Sequence, residues 1–159
     1  MDGRVVNVVI AGLGGQGAIK ASDILADAAF RAGFDVKKAE IHGMSQRGGS
    51  VTSDVRFGPE VLSPMIPRGQ ADFLVVLAES EVEVNRYNLK AGGLLIPPGA
   101  VDEAALPNRK SLNVALLGAL AARLDLAEEH WLAAIRAALP ERLHELNERA
   151  FRLGREWVP

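Results

Sequence analysis

The sequence contains no cysteine. That absence excludes disulfides, thiolate zinc sites, a nucleophilic thiol and cysteine-ligated iron–sulfur clusters. Any redox centre this chain serves is therefore a bound organic cofactor or belongs to another chain. Histidine is nearly as scarce: His42, His130 and His144 lie far apart and match no metal-ligand spacing, so no metal site is expected. No apolar run reaches the roughly 18 residues needed to cross a bilayer. The N-terminus leads straight into a strand-like segment rather than a signal peptide, so a cytoplasmic location is expected by default. The net charge is only −2, with acidic and basic residues interspersed, which gives no electrostatic footprint for nucleic acid or an anionic membrane.

What is present reads as one globular domain over residues 1–159, 48% hydrophobic and 24% charged. Val5–Ala11 is a β-branched run of the kind buried in parallel sheets, and it ends in Gly12-Leu13-Gly14-Gly15-Gln16-Gly17. A helix is predicted over about Ala18–Ala32, stopped by Gly33, and then a second strand over Phe34–Ile41. Further strands are expected over Ser50–Phe57, Asp72–Ala78 and Gly93–Ile96, with Val61-Leu62 as a short antiparallel arm and Glu79–Leu89 as a polar helix. Pro97, Pro98 and Pro107 keep Pro97–Lys110 irregular. From Ser111, suited to an N-cap, three helices follow: Leu112–Leu124, Leu126–Leu139 and Glu141–Arg155. Leu143, Leu146, Ala150 and Leu153 make one stripe on the last; Phe151, Trp157 and Val158 lie off it and are expected at a subunit interface. The pattern predicts a three-layer α/β/α fold with a mostly parallel, Rossmann-like sheet, a short antiparallel arm and a helical C-terminal tail.

Two polar segments carry the chemistry. Gly12, Gly14 and Gly17 fit G-x-G-x-x-G between a strand and a helix, where backbone N–H groups and a helix N-terminus favour an anion. The same glycines also suit a tight turn with no ligand. A dinucleotide dehydrogenase would use Glu40 on the ribose, but only a helical tail is left for a substrate domain, and Gly15-Gln16 is foreign to such loops. The second segment, His42-Gly43-Met44-Ser45-Gln46-Arg47-Gly48-Gly49-Ser50-Val51, is expected at the same sheet edge. Its glycines surround a histidine, an amide and a guanidinium, and Arg47 offers a two-point contact to a carboxylate or phosphate.

GLGGQG (Gly12–Gly17) and HGMSQRGGSV (His42–Val51) together resemble the gamma domain of 2-oxoacid:ferredoxin oxidoreductases, and within that family its indolepyruvate branch. The likeness continues through VRFG (Val55–Gly58), SPMIPRGQADFLV (Ser63–Val75), SLNVALLGAL (Ser111–Leu120) and LNERAFRLG (Leu146–Gly154). Between Ile96 and Ser111 the chain is shorter than is typical of the family. The resemblance implies a subunit inactive alone, beside a large alpha subunit that holds thiamine diphosphate, Mg and the iron–sulfur clusters. The complex converts an aryl 2-oxoacid and coenzyme A to acyl-CoA, carbon dioxide and reduced ferredoxin. It further implies that Gly12, Gly14, Gly15, Gln16 and Gly17 form the phosphate-approaching loop, and that Gln46, Arg47 and Gly48 face the catalytic interface; His42 joins Gln46 and Arg47 as a candidate catalytic residue, and Gly48 joins the loop glycines as a candidate cofactor contact. A stand-alone nucleotide- or acyl-CoA-binding α/β protein is the alternative.

Overall fold

Strand β1 (Val6–Leu13) sits at the centre of a five-stranded sheet, and its alternation divides two apolar faces. Val6, Val8 and Ile10 point into one core, Val9 and Ala11 into another. With β2 (Asp35–His42), β3 (Ser50–Gly58), β4 (Ala71–Val76) and β5 (Leu89–Ile96), the order across the sheet is β2-β3-β1-β4-β5. The computed structural model describes residues 3–42 and 49–159, with His42 described through its backbone only.

Four strands run the same way, β1 pairing parallel with β4 and β4 with β5. β3 runs against both neighbours, from Val6 opposite Phe57 to Leu13 opposite Ser50 on one side, and from Asp35 opposite Gly58 to His42 opposite Val51 on the other. The sheet is thus mixed, and its antiparallel member is β3 rather than a short arm at Val61-Leu62. Residues 43–49 are too few for the dozen or so that a parallel crossover needs, so the chain turns back at once. Segment 59–70 forms no strand. Pro59, Pro64 and Pro67 remove donors, and side chains hold the segment instead. Asp54 accepts the Ile66 N–H (3.0 Å), Asp35 accepts that of Val61 (2.7 Å), and Arg56 donates to the carbonyls of Ser63 (2.9 Å) and Met65 (3.1 Å).

All the long helices cover one face. They are α1 (Ala18–Arg31), α3 (Leu112–Ala121), α4 (Glu128–Ala138) and α5 (His144–Arg155). α3 is apolar at every position but Asn113 and every one of its residues is buried, as a helix wrapped by others must be. The opposite layer is thin: among the described residues, segment 59–70 and the single turn α2 (Val82–Asn85) lie over Val9, Ala11, Leu74 and Val76. The helix expected over Glu79–Leu89 breaks into short turns around α2, where the Asn85 side-chain amide donates to the Glu81 carbonyl (2.8 Å). Among the described residues no helix is long and apolar enough to cross a membrane.

α5 packs against α3 through a face rotated from the leucine stripe. Its buried residues are Asn147, Glu148, Ala150, Phe151 and Gly154, while Leu143, Leu146 and Leu153 are only half-buried. Two glycines set the approach. A Cβ at Gly154 would fall inside contact distance of the Ala115 carbonyl, and one at Gly118 would meet the Phe151 carbonyl. The C-terminal aromatics also differ from expectation. Phe151 is fully buried beside Trp131 (ring centroids 5.6 Å apart), and Trp157 packs against the same core, its carbonyl accepting from Arg123 (2.7 Å). The tail closes this chain's own core, leaving only Val158 of the three exposed.

Candidate functional site

Because β1, β2, β4 and β5 share a direction, their C-terminal ends meet at one sheet edge, where open α/β sheets bind ligands. The glycine loop leaves β1 there, and the second polar segment leaves β2 and re-enters as β3. The two are joined: the Gly14 N–H donates to the Gly49 carbonyl (2.9 Å). Gln46, Arg47 and Gly48 lie outside the described residues, as does the side chain of His42.

Within the loop, Gln16 acts as a brace. Its Oε1 accepts the Leu13 N–H (2.7 Å), its Nε2 donates to the Leu77 carbonyl at the end of β4 (3.3 Å), and its own N–H donates back to Leu13 (3.1 Å). Gly17 then starts α1 with φ +86, the left-handed region, and a Cβ there would lie 2.5 Å from Asn113 Nδ2. Asn113, near the start of α3, donates to the Gly17 carbonyl (3.2 Å) and so ties the buried helix to the loop. α1 carries no side-chain cap and no acidic residue in its first turn, so nothing within the helix itself offsets its positive end.

Beside this helix start lies a cavity of about 580 Å³, within the roughly 300–1,000 Å³ usual for small-molecule sites. Gly15, Gln16, Gly17 and Asn113 line it, and so do three cations, Lys20, Arg109 and Lys110, against one carboxylate, Glu103. Arg109 lies 3.6 Å from Glu103, and Lys20 reaches the Ala138 carbonyl at 3.4 Å. Asn108, whose side chain accepts the Lys110 N–H (2.9 Å), shapes the turn that presents the basic pair. Across the loop lies an apolar cavity of about 420 Å³ lined by Leu13, Ile19 and Val51, sharing Gly15 and Gly17 with the first. The surroundings suit a ligand with a strongly anionic part.

Sequence reasoning located the glycine loop but missed the cations. Arg109-Lys110 stood in a stretch read only as irregular, and Lys20 was not singled out; the adjacent basic pair was the available signal. Glu40 is occupied differently from a ribose ligand. Burial disfavours the charged form of Lys38, but hydrogen bonds to Asp23 and Glu40 outweigh it and raise the lysine pKa. Among the described residues no cluster of histidine and carboxylate side chains is arranged to hold a metal.

The family model described as pyruvate ferredoxin/flavodoxin oxidoreductase matches residues 7–107 and 99–157. The chain belongs to this family. It is similar to indolepyruvate oxidoreductase subunit IorB of Thermococcus kodakarensis, 37% identical over 190 aligned residues that cover 93% of each chain. The subunit of the same name from Methanothermobacter thermautotrophicus is 36% identical, covering 93% of this chain and 95% of its own. Among solved structures, the gamma subunit of a keto/oxoacid ferredoxin oxidoreductase from Geobacter sulfurreducens superposes with a TM-score of 0.80 at 26% identity, covering 97% of this chain and 96% of that one. The Thermococcus alignment is longer than this 159-residue chain, so that relative carries residues with no counterpart here. The two family matches meet at 99–107, inside the segment read as short.

Proposed function

We propose that this chain is the small, single-domain subunit of an indolepyruvate-type 2-oxoacid:ferredoxin oxidoreductase, and that its glycine-loop cavity holds an anionic part of coenzyme A. A larger partner carries thiamine diphosphate, Mg and the iron–sulfur clusters, for which this cysteine-free chain offers no thiolate. The overall reaction joins an aryl 2-oxoacid and coenzyme A into acyl-CoA and carbon dioxide, with two electrons passing to ferredoxin. Thiamine diphosphate supplies the carbanion stabilisation when bound.

The observation that carries this reading is the cavity where Lys20, Arg109 and Lys110 gather at an uncapped helix start. Several donors of the loop are already committed to the protein: Gly14 to Gly49, Gln16 to Leu13, Leu13 to Gln16. Side-chain cations therefore supply most of the attraction for phosphate, and the helix start adds to it. The link from Gly14 to Gly49 holds the described end of the second polar segment against the glycine loop, and His42, Gln46 and Arg47 are proposed to face the partner's reacting centre.

The test is steady-state kinetics on the reconstituted complex with indolepyruvate. Lys20→Ala and Arg109→Ala are each expected to raise KM for coenzyme A about tenfold, at the low end for hydrogen bonds to charged groups because both residues are solvent-exposed, while KM for the 2-oxoacid stays unchanged. Wild-type KM for coenzyme A in both variants removes the cavity from the reading. Turnover by the isolated chain removes the subunit role.

A further inference from the structure

Five of the large apolar side chains exposed among the described residues, Ile41, Leu62, Met65, Val84 and Tyr87, lie on the thin side of the sheet. Such a concentration on one face marks an interaction surface. A cavity of about 230 Å³ opens there between the end of β2, the start of β3 and α2. Glu81 lies in it, only 6% exposed. Its carboxylate accepts from the Ser50 hydroxyl (2.8 Å) and the Asn85 amide (3.3 Å), both neutral donors. Among the residues whose side chains are described, none forms an ion pair with Glu81. Ile41, Val84 and Tyr87 make an apolar rim, 46%, 59% and 52% exposed.

We infer that this cavity is the socket on which the larger partner subunit docks, and that it receives one arginine or lysine side chain of that partner. The inference rests on the small-subunit reading above. The cationic head meets Glu81, and the aliphatic stem lies against Ile41 and Val84, since Tyr87 already carries the Arg68 guanidinium over its ring at 4.7 Å. Other occupants fit worse. The cavity is smaller than the roughly 300–1,000 Å³ of small-molecule sites. A second copy of this chain, meeting the same patch by two-fold symmetry, brings Glu79 and Glu81 to a socket that already holds a carboxylate, while the cations beside that patch are engaged, Arg86 with Glu83 (2.8 Å) and Arg68 over the Tyr87 ring. A purely apolar segment seals a carboxylate away from water without a counter-charge, which is costlier still. The socket is also wired to the ligand cavity: Ser50, which binds Glu81, follows Gly49, whose carbonyl accepts the Gly14 N–H. Docking at Glu81 thus fixes the strand start from which the glycine loop hangs.

The experiment measures the Kd between the full chain and the purified large subunit, at low and high salt, for wild type, Glu81→Gln, Val84→Arg and Phe30→Ser. Phe30 is 70% exposed on α1, in the other layer, and serves as the control. Expected are a rise in Kd of about tenfold or more for Glu81→Gln and Val84→Arg, a wild-type value for Phe30→Ser, and a weaker salt dependence for Glu81→Gln than for wild type. Val84 is exposed, so its variant reports on the socket even if Glu81→Gln lowers the melting temperature of the lone chain. Wild-type affinity in both socket variants overturns the socket and leaves the subunit reading intact. A wild-type chain that does not bind the large subunit at all overturns both.

Discussion

Gly154→Ala places one methyl group where α5 crosses α3, and the consequence can be worked from the geometry. The new Cβ falls inside contact distance of the Ala115 carbonyl, a backbone group that no rotamer change can move. The two helices must separate or bend, in a core where Ala115, Ala119, Ala150 and Phe151 are all fully buried. Overpacking of this kind costs about 1–3 kcal/mol, and a backbone clash belongs at the upper end. Replacing glycine by alanine within a helix returns about 1 kcal/mol of propensity. The net loss is about 2 kcal/mol, or a fall of about 4–8 °C in Tm for a chain of this size. Urea unfolding followed by circular dichroism measures it, with Gly99→Ala as control because a Cβ there meets nothing within 4 Å. A second effect separates this mechanism from general weakening. Displacing α3 moves Asn113 from the Gly17 carbonyl, so coenzyme A affinity of the assembled complex should fall as well. Gly154→Ala with unchanged or raised stability refutes the close-crossing argument.

Three further outcomes are expected. Burial raises the pKa of Asp54, the Ile66 N–H and the nearby Arg56 offsetting only part of that effect. A raised carboxyl pKa costs stability as pH climbs from the unfolded value near 4 through the folded one, so Asp54→Asn, whose side-chain carbonyl still accepts from Ile66, should be more stable than wild type at pH 7 and no different below about pH 4 in parallel urea melts. Trp157→Ala should destabilise the isolated chain by about 2 kcal/mol, roughly half the cost for a fully buried aromatic; an unchanged lone-chain Tm together with weakened assembly would return the tail to an interface role. Arg47→Lys should leave assembly intact and lower turnover of the complex by about 1.5–3 kcal/mol, as expected where a two-point contact to an anion is lost; wild-type kinetics would place Arg47 outside the site.

The strands were legible because a segment buried on both faces must be apolar at consecutive positions, as Val8, Val9, Ile10 and Ala11 are. Direction was less so. Nothing in the composition of Ser50–Phe57 distinguishes a parallel from an antiparallel strand, and only the shortness of 43–49 decides it. The α5 face was misjudged for a related reason. Gly154 and Asn147 are buried there because they are small or bonded, the Asn147 amide donating to the Leu143 carbonyl at 2.9 Å, and a pattern of hydrophobicity cannot register either. The site divided the same way. Gly17 announced itself through a motif whose backbone requirement is local, whereas Lys20, Arg109 and Lys110 come together only through the packing of α1, α3 and the turn before it.

That packing also explains why a chain with one large core leaves a face open. Every long helix follows either β1 or β5, and all of them return to the same side of the sheet. Among the described residues, the other side receives what is built between β3 and β5: a proline-rich segment held by Asp35, Asp54 and Arg56, and one turn of helix flanked by short 3-10 turns. Such a layer buries Val9, Leu74 and Val76 and, among the described residues, leaves Ile41, Val84 and Tyr87 exposed. The antiparallel β3 begins at that same edge, so its first residues touch both the glycine loop, through Gly49, and the uncovered side, through Ser50. The glycine-loop cavity and the exposed apolar face are joined through two consecutive residues, as the proposed coupling of coenzyme A binding to docking requires.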